Sequence, residues 1–193
     1  MLEVLYTYFE RSFPLTEGDK FLIQSVVLMR SLKRSEFLVR QGEVARHGAF
    51  VTKGMLRSYV IDDKGREHII QFAPENWWIS DKNGMSEGTP SSFFIDAVED
   101  SDIILIDIQG HETLLEKLKG YADSFRAGIQ RRAIAKDQRI VSSLTASAEE
   151  RYVDFLETYP SIAQRVPQHM LASYLGITPE TVSRIRKQAS LKK

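Results

Sequence analysis

Glu180, Thr181, Ser183, Arg184 and Lys187 lie close together near the end of the chain. On a helix they point outward, because Val182 and Ile185, three apart, take the inner side. One exposed face would then hold a carboxylate, hydroxyls, a guanidinium and an ammonium, side chains able to reach base edges in a DNA major groove. Just before them, Gln168, His169 and Thr178 stand at helix starts and are candidates for phosphate contacts. Other chemistry is poorly supplied. The absence of cysteine excludes disulfides, Cys-ligated zinc and iron–sulfur clusters. The four histidines, His47, His68, His111 and His169, have no metal-ligand spacing. Asp62-Asp63, Glu99-Asp100 and the serines form no nucleophile elbow or paired-carboxylate site, and Asp62-Asp63-Lys64-Gly65 reads as a hairpin turn. No enzyme activity is expected.

The elements that must position these residues are two short helices and a tight turn. Leu171, Ala172 and Leu175 share one face of the first. Gly176 sits where a helix ends and a positive φ costs a glycine little. Ile177 fills the gap between the helices. Thr178 is an N-cap, and Pro179 takes the first helical position, where its missing N–H matters least. This is the layout of a helix–turn–helix.

A chain of 193 residues suits one large domain or two small ones. No run of apolar residues is long enough to span a membrane, and the start lacks a basic segment followed by an apolar one, so cytoplasmic residence is expected. Net charge is zero but unevenly divided. From Arg165 onward there are six Lys or Arg (Arg165, Arg184, Arg186, Lys187, Lys192, Lys193) against Glu180 alone. A basic end on an acidic body suits a chain with one module that meets phosphate.

In order, Leu2, Leu5, Tyr6 and Phe9 mark a helix that Pro14 interrupts, and Thr16-Glu17-Gly18-Asp19 opens a second through Val26. Eight short β-type runs follow: Val27–Leu32, Glu36–Arg40, Ala49–Thr52, Met55–Ile61, Glu67–Phe72, Trp77–Ser80, Ser92–Val98 and Ile103–Ile108. Turn signals such as Lys53-Gly54 and Asn83-Gly84 separate them. They predict a small antiparallel barrel or a double-sheet jelly roll, a β-roll whose interior could hold one small ligand. Helices return at His111–Lys119, broken by Gly120, and a long helix covers Tyr121 to Ser143. Its apolar positions (Tyr121, Phe125, Ile129, Ala133, Ile140, Leu144) are expected on one side, to be buried by the same helix of a second subunit. Ser147 with Glu150 makes a capping box for the next helix, which Pro160 stops. The class is therefore α+β. Residues 1–120 form a β-roll sensor domain with flanking helices, 121–144 the long dimerisation helix, and 145–193 a winged-helix-like helix–turn–helix domain with a short or missing wing.

This order resembles the Crp/Fnr family of bacterial transcription regulators over nearly the whole chain. Gln41-Gly42-Glu43, Lys53-Gly54 and Gly65-x-Glu67 match the family's glycine-turn pattern. Leu175-Gly176-Ile177-Thr178-x-Glu180-Thr181-Val182-Ser183-Arg184 is the more specific match. The resemblance implies a cytoplasmic homodimer on double-stranded DNA, with a recognition helix in each of two major grooves about 34 Å apart, and RNA polymerase as a further partner. It assigns base contacts to Glu180 and Arg184: arginine bonds bidentately to guanine, and glutamate accepts from the cytosine amino group. Ser183 sits as in the Fnr-like branch, and Pro179 replaces an arginine of Crp-like members, so a TTGA-like half-site is expected over TGTGA. Lys187, Lys192 and Lys193 would add affinity that falls with salt. The alternative function is a ligand-binding or protein-interaction module of the same fold that no longer binds DNA.

The sensor departs from the family. Cyclic-nucleotide members hold the phosphate with Gly-Glu-Leu followed about ten residues later by Arg-Ser/Thr-Ala. In Ser80–Phe93 the Gly-Glu is absent and Ser91 or Ser92 stands at the arginine's place. Lys82 is the nearby cation. On the long helix, Lys136-Asp137 replace the Thr-Ser pair that contacts adenine. cAMP is therefore not expected. An unknown small-molecule effector would meet Lys82, Ser91, Ser92, Trp78 and Lys136, with Trp77 and Phe93 as further lining.

Overall fold

The computed structural model describes residues 1–191. The chain forms two compact units. One holds Met1–Val60 and Gln71–Gln130, the other Ile61–Ile70 and the chain from Arg131 onward. This division differs from the three sequence-based segments: residues 61–70, predicted inside the β-roll, group with the C-terminal helices.

The first unit opens with α1 (Leu2–Glu10) and α2 (Glu17–Ser25). Thr16 caps α2 in a full capping box, its hydroxyl accepting from the Asp19 N–H while Asp19 accepts from the Thr16 N–H. All eight predicted strands form: β1 (Val27–Leu32), β2 (Phe37–Val39), β3 (His47–Lys53), β4 (Leu56–Ile61), β5 (Glu67–Ala73), β6 (Trp78–Ile79), β7 (Phe94–Ala97) and β8 (Ser101–Asp107). They make two four-stranded sheets, ordered β1-β8-β3-β6 and β2-β7-β4-β5, the expected jelly roll.

Alternation along the strands sets the core. Ala49, Val51, Ile103 and Leu105 from the first sheet meet Val39, Leu56, Ile95 and Ala97 from the second. The residues between them, Phe50, Ile104 and Ile106, face the other way and pack with Leu5, Phe9 and Ile23 of the two helices. Strand β8 is thus buried on both faces, which is why it reads as a continuous apolar run. Across β4 and β7, Leu56 faces Ala97, and one step on Arg57 faces Asp96. That pair is buried and bidentate, with Nε–Oδ1 2.8 Å and Nη2–Oδ2 3.0 Å. Gly54 closes the β3–β4 turn at φ +88°, and a Cβ there would lie 2.6 Å from the Asp100 carbonyl oxygen, so the turn requires glycine.

Three local expectations are corrected. Asn83-Gly84 is not a turn but part of α3 (Lys82–Glu87), because the Asp81 carboxylate caps the Asn83 and Gly84 N–H groups. Ile108 does not end β8; it starts α4 (Ile108–Lys117), capped by Asp107. Pro160 stops α6 but also begins α7, as described below.

Helix α5 (Tyr121–Thr145) has the expected length. Its expected apolar positions keep within an arc of about 140° around the helix. Along that arc the series runs from buried Tyr121 to Leu144, which is 80% exposed. Ile134, Ile140, Val141 and Leu144 together leave an apolar arc in solvent. Among the described residues, no helix is long and apolar enough to cross a membrane.

The second unit continues with α6 (Ala148–Thr158), α7 (Pro160–Arg165), α8 (Gln168–Leu175) and α9 (Pro179–Leu191). The Ser147–Glu150 capping box is present, with the Ser147 N–H donating to Glu150 Oε2 at 2.7 Å. These hydrogen bonds, first from the Ser147 N–H and then from its hydroxyl, hold the Glu150 carboxyl below its usual range.

Candidate nucleic-acid interface

The α8–α9 unit is built from a core of small and branched side chains. Leu171, Ala172, Leu175, Val182 and Ile185 are buried, and Tyr152, Phe155, Ile162 and Val166 of the preceding helices lie in the same unit's interior. Gly176 adopts φ +66°. Its N–H donates to the Ser173 carbonyl, and the Ile177 N–H reaches back to the Ala172 carbonyl at 3.0 Å. This is a Schellman ending, which satisfies the last carbonyls of α8. The Thr178 hydroxyl accepts from the Thr181 N–H at 3.3 Å, starting α9. Ile177 is half-buried.

The result is an exposed α9 face. Glu180, Ser183, Arg184 and Lys187 are exposed, and Thr181 is half-exposed. Glu180 is held ionised: hydrogen bonds from its own N–H and then from Thr178 lower its carboxyl below the usual range. An ionised carboxylate only accepts hydrogen bonds. Arg184 has no hydrogen-bond or ion-pair partner among the described residues, so its five N–H donors face solvent. Arg186 differs. Its Nε donates to the Tyr152 hydroxyl at 2.7 Å, tethering it to α6. His169 is exposed on the first turn of α8. Lys192 and Lys193 lie outside the described residues.

Gln168 requires a correction. Its Nε2 donates to the Pro179 carbonyl at 3.1 Å and to Ser183 Oγ at 2.6 Å. Both amide hydrogens are spent inside the protein, so the nitrogen is not offered to a phosphate.

The candidate effector residues fall in both units. Lys82 is exposed on α3. Ser91 is buried, and its hydroxyl is engaged locally, donating to the Phe93 carbonyl and accepting the Phe93 N–H, each at 3.0 Å. Ser92 is exposed. Trp78 does not line the roll interior. It packs on the outer side with Phe50, ring centroids 5.1 Å apart, while Trp77 packs against the inner core. Strand alternation separates the tandem pair. The first N–H groups of α3 are already taken by the Asp81 carboxylate, where a phosphate-binding cassette would need them free. Lys136, in the second unit, is exposed and lines a cleft of about 570 Å³ with His68, Arg139, Arg151 and Tyr174. Among the described residues, no group of three His, Cys, Asp or Glu side chains could hold a metal ion.

Two residues of this unit carried no sequence signal. Ser173 Oγ accepts from the Ile69 N–H at 3.0 Å and donates to the Glu67 carbonyl at 2.6 Å. Arg139 donates to the Ile69 and Ile70 carbonyls at 2.9 and 2.7 Å and stacks on Tyr174. Together they fasten the hairpin of residues 61–70 to α5 and α8. These partners are about 70 to 106 residues apart in sequence, beyond any local pattern.

Residues 29–117 match the cyclic nucleotide-binding domain family. The chain is 28% identical over 168 residues to the transcriptional activator protein anr of Pseudomonas aeruginosa, covering 81% of this chain and 68% of that one. Among solved structures, FixK2 from Bradyrhizobium japonicum superposes with a TM-score of 0.75 at 22% identity, covering 86% of each chain. A chain from Eubacterium rectale, described as a transcriptional regulator of the crp/fnr family, gives 0.71 at 18% identity, covering 96% of this chain and 88% of that one.

Proposed function

We propose that the chain is a transcription regulator of the Crp/Fnr family, a homodimer that reads a two-fold symmetric DNA site with α9. One observation carries the reading. Buried Val182 and Ile185 turn Glu180, Ser183 and Arg184 together into solvent, and Arg184 has no competing partner among the described residues. Arg184 takes a guanine through O6 and N7, and Glu180 accepts from a cytosine amino group one helical turn away. A TTGA-like half-site suits that pair, since Pro179 offers neither a base nor a phosphate contact. The exposed arc of Ile134, Ile140, Val141 and Leu144 supports pairing of α5 with its copy. In the first unit, Lys82 and Ser92 remain the exposed candidates for an effector other than cAMP, and RNA polymerase the proposed protein partner.

The test is a duplex-binding titration across salt with the unchanged chain and Arg184→Ala. A bidentate contact is worth about 1–3 kcal/mol, so the variant should bind the preferred site roughly 5- to 150-fold more weakly. Unchanged affinity and preference in Arg184→Ala would refute the assignment. No duplex binding at low salt would instead favour the ligand-binding or protein-interaction module.

A further inference from the structure

Gln168 stands at the first position of α8, 15 residues before Ser183 in sequence, yet it is bonded to the outward face of α9. Its Nε2 reaches Ser183 Oγ at 2.6 Å and the Pro179 carbonyl at 3.1 Å. The carbonyl can only accept, so the amide nitrogen must face it, and the orientation of the Gln168 amide is settled by that bond.

The consequence falls on Ser183. A serine inside a helix commonly turns its hydroxyl back to the carbonyl four residues earlier, which here is Pro179. That carbonyl has two lone pairs. The regular bond from the Ser183 N–H takes one, and Gln168 takes the other. The back-bond is closed to the hydroxyl, while the second Gln168 hydrogen fills one lone pair of Oγ. Among the described residues the Ser183 hydroxyl donates to no carbonyl, so its hydrogen and one remaining lone pair are left for the exposed face, and accepting from Gln168 polarises the hydroxyl toward donation.

We propose that Gln168 is a positioning residue for base recognition: by filling one lone pair of Ser183 Oγ it biases that hydroxyl toward outward hydrogen-bond donation. Ser183 then favours a base edge that accepts in the major groove (adenine N7, guanine N7 or O6, thymine O4) over the cytosine amino group. The assignment rests on the reading that α9 enters the groove. It adds a rule about one base pair that Glu180 and Arg184 do not determine.

The experiment selects sites from a duplex library with a randomised core, using the full chain. Competition binding then follows on duplexes differing from the selected site by one base pair. The variants are Gln168→Ala, Gln168→Glu, Ser183→Ala, the Gln168→Ala/Ser183→Ala double variant, and Arg184→Ala. A neutral hydrogen bond supports a discrimination of about threefold to tenfold. Gln168→Ala and Ser183→Ala should each flatten the preference at the same base pair by about that factor, and the double variant should lose no more than either. Gln168→Glu should invert it, because a carboxylate there accepts the Ser183 hydrogen and leaves only lone pairs facing the DNA. Thermal midpoints should stay close to that of the unchanged chain, so a folding role does not mimic the result. If Gln168→Ala weakens all duplexes equally, or leaves the base pair sensitive to Ser183 unaltered, the assignment is overturned while the regulator reading stands. If the unchanged chain selects no site, both fall.

Discussion

Leu144 offers the sharpest test of self-association through α5. Its side chain is 80% exposed and lies with Ile134, Ile140 and Val141 on one arc of the helix. Truncation to alanine removes three carbons. At about 0.8 kcal/mol per buried carbon, and allowing for the fifth of the side chain already covered, burial of Leu144 against a partner contributes about 2 kcal/mol. A two-fold interface uses the residue twice, so Leu144→Ala should destabilise the dimer by about 4 kcal/mol. That is roughly a thousandfold in its dissociation constant. The fold of each subunit should change by no more than about 0.5 kcal/mol, because the residue is at the surface. Sedimentation equilibrium over a range of protein concentrations reads the dissociation constant directly. Leu28→Ala is the control, since Leu28 is also well exposed but lies on β1. Equal dissociation constants for Leu144→Ala and the unchanged chain would refute the reasoning, as would a comparable loss in Leu28→Ala.

Two further outcomes concern stability. Gly176→Ala places a Cβ in open space at φ +66°, so its cost should be the backbone strain alone, about 1 kcal/mol. Gly54→Ala adds a collision with the Asp100 carbonyl at φ +88° and should cost about 3 kcal/mol; urea unfolding compares the two, and equal losses would contradict the geometry. The Asp62 carboxylate is held well below the usual carboxylate range by hydrogen bonds from His68 and then Arg66. A depressed folded value means that its contribution is complete above the ordinary aspartate value, about 3.9, and declines as pH falls below it. The unchanged chain should therefore melt above Asp62→Asn at pH 5–7, with the gap narrowing below about pH 4; a gap that widened with acid would reverse the sign of the argument.

What the sequence made legible was local. The αL glycine at 176, the Thr178 cap and the i, i+3 pair Val182 and Ile185 each state their conformation within a few residues, and the turn formed as they predict. The eight strands were legible for the same reason, through alternation and turn chemistry. Asn83-Gly84 misled because a nearby carboxylate, Asp81, converts turn residues into a capped helix. Pro160 misled because one residue can end a helix and occupy the first turn of the next. The apolar stripe of α5 was legible but its cover was not: Tyr121 joins the core of α1 and α4, while Leu144 is 80% exposed. The contacts of Gln168 with Ser183 and of Ser173 with the 61–70 hairpin join distant segments, and no periodicity within either segment encodes them.

The charge of the C-terminal segment bears on how the proposed interface would work. Counted along the sequence, six basic residues stand against one acid, which suggests attraction to phosphate as the main force. The structure divides that count. Arg186 is tethered to the Tyr152 hydroxyl, Lys192 and Lys193 lie outside the described residues, and Arg184 stands beside Glu180 and Ser183 on the exposed face of α9. Among the described residues of α9, Lys187 is the exposed cation left for a purely electrostatic contact. Glu180, kept ionised by its own N–H and Thr178, repels phosphate and is useful only beside a base donor. A surface meant for any duplex gains nothing from a carboxylate in its centre. The combination of one fixed acceptor, one free guanidinium and a hydroxyl that Gln168 biases toward outward donation fits discrimination among base edges better than general adhesion to the backbone.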